Sequence, residues 1–130
     1  MSKGYLLDTE VLIAYLRGYT ETVGLLKELA GKGADFSVSA VTVVEIEAGI
    51  RDKEKEKTYE LLDLFEICPL DISTAQLAGS FLRKYRGKGI SLSLADVIIG
   101  ATAVIQDLIL VTYNTRHYPM AGIQILPESP

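Results

Sequence analysis

The stretch ISLSLADVIIGATAVIQDLILVTYN, Ile90 to Asn114, constrains the fold more than any other part of the chain. It opens on serines and enters an apolar helix with Asp96 in the first turn. It then crosses Gln106-Asp107 and returns as a short apolar strand, LILVT, that stops at Thr112. Asn114 follows at the strand's carboxyl end. Ligands of open α/β sheets gather at that edge. Asp96 at a helix start and Asn114 just past a strand end are therefore candidates for one shared site.

The same alternation runs through the rest of the chain. Residues 4–8, GYLLD, read as a short buried strand, because Tyr5, Leu6 and Leu7 are continuously apolar. Asp8-Thr9 ends it, and VLIAYLRG predicts a helix over about Glu10 to Arg17 that stops at Gly18. Thr20 is placed to cap a second helix, ETVGLLKELAGKG, closed by Gly31 and Gly33. Phe36 to Ser39 reads as a second strand. The β-branched residues of AVTVVEIEAGI suit a strand, but Thr42 and Glu45 have capping-box spacing, which predicts a helix over about Val41 to Ile50.

Asp52 to Phe65 is charged in its first half and amphipathic in its second, with Glu54, Lys55, Glu56, Lys57 and Glu60 on a solvated helix face. EICPL reads as a third strand ended by Pro69. Asp71 or Ser73 starts a long helix through Arg86, and GIQIL, Gly122 to Leu126, is a last strand. Strands alternating with helices predict an α/β fold with a mainly parallel sheet and helices on both faces.

At 130 residues the chain is expected to form one domain with a real core, spanning residues 1–130. Its uninterrupted apolar runs fall far short of the roughly 18 residues of a membrane span, and its start does not read as a signal peptide. One cysteine, Cys68, excludes an internal disulfide and fits a reducing compartment, so a cytoplasmic location is expected. The net charge of −4 argues only weakly against nucleic acid. Arg83, Lys84, Arg86 and Lys88 form a basic tract, and acids that hold metal ions beside a basic rim still bind phosphates.

Four oxygen-bearing residues share one predicted sheet edge. Asp8 ends the first strand, Glu45 lies early in the helix after the second, Asp96 lies in the first turn of its helix, and Asn114 follows the fourth strand. Neighbouring carboxylates repel unless a cation or proton compensates. The set suggests a hard divalent cation, Mg²⁺ or Mn²⁺, with Asn114 adding a carbonyl oxygen. One cysteine and one histidine do not make a structural zinc site. Capping accounts for each acid singly, since Thr42-x-x-Glu45 and Ser93-x-x-Asp96 both fit the box and first-turn acids suit the helix dipole. Capping does not account for all of them at one edge. Thr112 either supports Asn114 or merely ends a strand. Glu47 and Glu10 are expected on the surface and His117 at a surface or substrate rim, without an acid partner nearby in sequence. Arg116 is placed to meet a phosphate.

YLLDTEVLIAYL, SAVTVVEIEAGI and SLADVIIGATAVIQDLILVTYNTRHY, in this order and spacing, resemble the PIN-domain family, and within it the VapC-type toxins of toxin–antitoxin pairs. The resemblance runs from about Tyr5 to Leu126. It implies a three-layer α/β/α fold and Mg²⁺- or Mn²⁺-dependent cleavage of RNA by metal-activated water. By position, Asp8, Glu45 and Asp96 match the family's acidic triad, Asn114 its fourth position, and Thr9 a supporting hydroxyl. A homodimer and a small antitoxin protein that blocks the site are implied in the same way. Arg83, Lys84, Arg86, Lys88 and Arg116 are candidate RNA contacts. The rival reading is a non-catalytic PIN-fold RNA-binding or scaffold protein.

Overall fold

The computed structural model describes residues 4–126. Five strands form one sheet: β1 (Gly4–Leu7), β2 (Asp35–Ser39), β3 (Glu66–Cys68), β4 (Ile109–Val111) and β5 (Ile125–Leu126). Their spatial order is β3-β2-β1-β4-β5, and every pairing is parallel. The chain winds outward from β1 in one direction through β2 and β3. It then returns to β1's other side with β4. The crevice between β1 and β4 is thus the point where strand order reverses, the usual ligand position of such sheets.

Six helices cover the sheet: α1 (Thr9–Leu16), α2 (Thr20–Gly31), α3 (Ala40–Gly49), α4 (Lys55–Leu62), α5 (Ile72–Arg86) and α6 (Leu94–Ile105). Strand side chains alternate between faces, and β1 shows both sides covered. Leu6, with Leu110 of β4, packs under Phe81, Tyr85, Val97, Ile99 and Ala101 of α5 and α6. Tyr5 and Leu7 join Val11, Leu12, Leu26 and Leu29 of α1 and α2 on the other face. Two covered faces are why β1 reads as an unbroken apolar run. Burial of Leu6, Leu7, Leu12, Ile99 and Leu110 is complete or nearly so, each worth about 1.5–3 kcal/mol relative to exposure. Among the described residues no helix is long and apolar enough to cross a membrane.

The α/β alternation and the three-layer arrangement stand as expected, while several local details differ. Thr20 is not a cap: α2 starts at Thr20, and its N-cap, Tyr19, makes no side-chain capping bond. Thr42 does not open a capping box with Glu45. The chain turns from β2 into α3 with no intervening loop, so Ser39 is the N-cap and its hydroxyl accepts from the Val41 N–H at 3.1 Å. That leaves Thr42 inside the helix and fully buried. The charged stretch begins as a 3-10 turn, Asp52–Glu54, braced by the Arg51–Glu54 pair, before α4. Asp71, rather than Ser73, caps α5 through the Thr74 N–H at 2.9 Å. The last strand is shorter than GIQIL: Gly122 sits at φ +91 and only Ile125 and Leu126 pair with β4. Gly18, at φ +74, is the stop after α1 that the sequence anticipates.

Candidate active site at the carboxyl edge

Asp8 is the N-cap of α1 and part of the site at once, because its two oxygens do different things. Oδ1 accepts from the Val11 N–H at 3.0 Å, as a cap does. Oδ2 accepts from the Thr112 hydroxyl at the end of β4. The same hydroxyl accepts from the Asn114 N–H at 3.0 Å. Thr112 therefore does more than end a strand: it ties Asp8, across the β1–β4 crevice, to the loop carrying Asn114. The Asn114 carboxamide makes no hydrogen bond among the described residues.

Asp8 is 4% exposed. Burial raises its pKa, and the charges of Glu10 and Asp96 push the same way, against the lowering effect of the Thr112 and Val11 hydrogen bonds. Glu10 itself lies on the surface, as expected, and acts on Asp8 only through its charge.

Thr9, next to Asp8, is buried, and its hydroxyl lies 2.5 Å from Glu45 Oε1 and 3.0 Å from the Thr42 hydroxyl. A hydroxyl carries one proton. The carboxylate is the stronger acceptor and the closer one, so Thr9 donates to Glu45 and Thr42 supplies the proton of the second bond. Sequence reasoning assigned Thr42 to a cap; its role here is to orient Thr9, and through it Glu45, two helices apart in sequence.

Asp96 sits in the first turn of α6, where the Ser93 hydroxyl takes its N–H at 3.0 Å. This is half of the predicted box. The carboxylate does not reach back to Ser93; Oδ1 accepts from the Tyr118 hydroxyl at 3.3 Å, and Oδ2 lies 3.4 Å from His117 Nδ1. His117 thus does have an acid partner, brought to it by the fold, and its half-exposed side chain is at the rim. Tyr118 is a site residue that sequence reasoning missed. It is buried, and burial together with the charges of Asp8, Asp96 and Glu45 and its bond to Asp96 keeps the phenol protonated far above its ordinary range.

The donor set fits a hard divalent cation. It comprises three carboxylates and an unengaged carboxamide at one crevice, and no Lys or Arg is ion-paired to any of the three acids among the described residues. It is the chemistry of the donors that fits: among the described residues no three acidic, His or Cys side chains stand close enough together to hold a metal ion between them. A cation bound here would keep water in part of its shell, as Mg²⁺ generally does.

Two basic regions flank the acids. Arg83, Lys84 and Arg86 form the last turn of α5, and the ammonium groups of Lys84 and Lys88 lie 6.0 and 5.1 Å from the Tyr85 ring centre. The Tyr85 hydroxyl donates to the Pro119 carbonyl at 3.0 Å, which sets this tract beside the segment that reaches Asp96. The second region is a groove of about 380 Å³ bordered by Glu45 and by Arg17, Arg51, Lys53 and Lys57. Sequence reasoning did not single it out, because its cations come from three separate segments. Glu47 stays outside the site, where the Tyr59 hydroxyl donates to it. Arg116 is exposed in the 3-10 turn Thr115–His117.

Known proteins resemble this chain over most of its length. Ribonuclease VapC10 of Mycobacterium tuberculosis is 37% identical over 115 residues, covering 88% of this chain and 86% of that protein. Ribonuclease VapC1 of Methanocaldococcus jannaschii is 31% identical over 114 residues, covering 87% and 77%. Among solved structures, FitAcB from Neisseria gonorrhoeae superposes with a TM-score of 0.77 at 29% identity, covering 95% of this chain and 96% of that one. DNA-bound VapBC from Salmonella typhimurium has the same fold, with a TM-score of 0.82 at 22% identity over 96% and 97% of the two chains. The PIN domain family matches residues 5–123, and the chain belongs to that family.

Proposed function

We propose that this protein is a metal-dependent endoribonuclease, the toxin of a toxin–antitoxin pair, and that Asp8, Glu45, Asp96 and Asn114 form its active site. The observation that supports the reading is the hydrogen bonding of three carboxylates at the carboxyl edge: Thr112 holds Asp8, Thr9 beside it holds Glu45, and Tyr118 holds Asp96. The relatives support it: curated proteins 30–37% identical to this chain are named ribonucleases of the VapC type, and a solved neighbour at 26% identity is a toxin–antitoxin complex from Klebsiella pneumoniae. Divalent-metal dependence is general to PIN-domain ribonucleases of this type; the ion proposed here is Mg²⁺ or Mn²⁺.

Asp8, Glu45 and Asp96 are the residues to hold one or two such ions, directly or through water, with Asn114 offering a neutral oxygen. When bound, a divalent ion supplies a water acidic enough to give hydroxide near neutral pH and neutralises charge at the scissile phosphate. The chain's own part is positioning. Val11 N–H and Thr112 fix both oxygens of Asp8, and Thr9, backed by Thr42, aims Glu45. In-line attack of water leaves a 5′-phosphate and a 3′-hydroxyl. Attack by a ribose 2′-hydroxyl between paired histidines does not fit a chain whose one histidine is His117. Arg83, Lys84, Arg86, Lys88 and Arg116 are the proposed RNA contacts. The groove that reaches Glu45 is the proposed seat of an antitoxin segment, and the protein is expected to work as a homodimer in the cytoplasm.

The test is cleavage of mixed cellular RNA by the protein alone with Mg²⁺ or Mn²⁺, beside Asp96→Asn and an EDTA control. Discrete fragments are expected from the unaltered protein only, and lost with EDTA. Absence of both cleavage and metal binding by calorimetry would favour a non-catalytic PIN-fold scaffold.

A further inference from the structure

We infer that Tyr118 is a positioning residue of this site: its buried hydroxyl holds the Asp96 carboxylate in the orientation in which it meets a divalent cation. The inference rests on the metal-dependent reading above and concerns how one of its carboxylates is aimed. Tyr118 lies just past the 3-10 turn Thr115–His117, with its ring 5% exposed in the core beneath α5 and α6. Its seat is built from two sides. From α5, the Tyr85 hydroxyl grips the Pro119 carbonyl at 3.0 Å.

From α6, Gly100 leaves a notch one turn beyond Asp96. A Cβ there would stand 2.8 Å from Ile123 Cδ1 and 2.9 Å from Met120 Cε, and 3.7 Å from Tyr118 Cδ1. Segment 118–123 therefore packs closely against α6 at residue 100, through the side-chain ends of Ile123 and Met120. The clamped ring sends its hydroxyl to Asp96 Oδ1 at 3.3 Å, the one hydrogen bond it makes among the described residues.

Packing alone does not explain that hydroxyl. A phenylalanine ring would fill the same seat, and a buried hydroxyl is unfavourable unless it is used. The Asp96 carboxylate, for its part, has only one other side-chain restraint among the described residues, His117 at 3.4 Å, which is half exposed. Donors that steer a metal-ligating group are worth about 10–100-fold in metal affinity or activity.

The experiment is calorimetric titration of Mn²⁺ into the full chain and into Tyr118→Phe, with thermal unfolding of both in EDTA. The expected result is a Mn²⁺ dissociation constant raised about tenfold, with the metal-free melting temperature unchanged. Cleavage should lose kcat while KM for RNA holds. Equal Mn²⁺ affinity in the two proteins would overturn the positioning role and leave the nuclease reading standing. No Mn²⁺ binding by the unaltered protein would bring down both. Should Tyr118→Phe fold poorly, Tyr85→Phe loosens the same seat by freeing the Pro119 carbonyl. Mn²⁺ binding is then expected to weaken by a smaller factor, and unchanged binding would again overturn the inference.

Discussion

Asp8 and Asp96 are both acids at the N-terminal end of a helix on one sheet edge, yet the chain treats them differently. Asp8 is almost sealed, with one oxygen on a backbone N–H and the other on a buried threonine. Asp96 keeps a side chain 22% exposed, with its oxygens toward a tyrosine and a histidine from a loop. The difference follows from topology. Asp8 joins β1 to α1 with no loop between and faces the central crevice, so the helix start and the end of the neighbouring strand fix it together. Asp96 begins a helix that approaches the crevice from outside, so its aim depends on what the 115–123 segment presses against it. One acid is placed by the fold, and the other is adjusted by its neighbours.

Removing either carboxylate should have the largest effect. Asp8→Asn and Asp96→Asn are each expected to lower cleavage by more than the about 10–100-fold that loss of an outer hydrogen-bond partner causes, assayed with Mn²⁺ on a labelled RNA. Residual activity in Asp8→Asn equal to the unaltered protein would undo the claim that the sealed acid is a ligand. Thr112→Val comes next. It strips the donor from a buried carboxylate oxygen and the acceptor from Asn114 N–H, so about 1–3 kcal/mol of folding stability should go in urea unfolding. His117→Ala, on the exposed side of Asp96, should stay within about 0.5 kcal/mol. Similar losses in both would mean that the two corners are built alike after all.

Much of this was legible in the sequence, for physical reasons that differ from residue to residue. β1 read correctly because a strand covered on both faces must be apolar throughout. Asp8, Glu45, Asp96 and Asn114 could be set at one edge because strand ends and following helix starts share that edge in a parallel sheet. Capping and site roles for Asp8, weighed as rivals in the sequence, are compatible because a carboxylate has two oxygens. Thr42 was misassigned because the capping-box spacing is blind to where the chain leaves the strand, and Ser39 is already a competent cap. Tyr118 was invisible for a different reason. Its meaning depends on a contact between a loop and α6, 22 residues apart in sequence, and on a notch at Gly100 that no local pattern announces. The basic groove beside Glu45 escaped notice in the same way, its cations being scattered from Arg17 to Lys57.

The two basic regions carry the contrast between the acids over to the substrate. Arg83, Lys84, Arg86 and Lys88 lie on the Asp96 side and make no ion pair among the described residues, whereas Arg17 and Arg51 on the Glu45 side share Glu54. Cations without a carboxylate partner are the better phosphate binders, and the groove keeps only two of its four, Lys53 and Lys57, unpaired among the described residues. Lys84→Ala, Arg86→Ala and Lys88→Ala combined should reduce the slope of log affinity against log salt by about 0.7 for each phosphate of a single-stranded RNA that these side chains had neutralised. Arg17→Ala should change that slope less. The reverse ranking would move the RNA path to the groove.

The smallest expected effect is on stability against pH, and its sign follows from the sealing of Asp8. Burial, with help from the charges of Glu10 and Asp96, raises the pKa of Asp8 in the folded chain above the unfolded value. The folded state then holds that proton more tightly than the unfolded state does. The stability this contributes is fully present below the unfolded pKa of about 3.9 and is lost as pH rises through the folded pKa. Above the folded pKa the metal-free protein carries a desolvated charge that Asp8→Asn removes, and asparagine is an equally good N-cap. In EDTA, Asp8→Asn should therefore be more stable than the unaltered protein near neutrality, by a margin that shrinks as pH falls toward about 4. A margin for Asp8→Asn that does not change with pH would mean that the buried corner does not hold its proton, and the contrast between a sealed and a steerable acid would lose its electrostatic half.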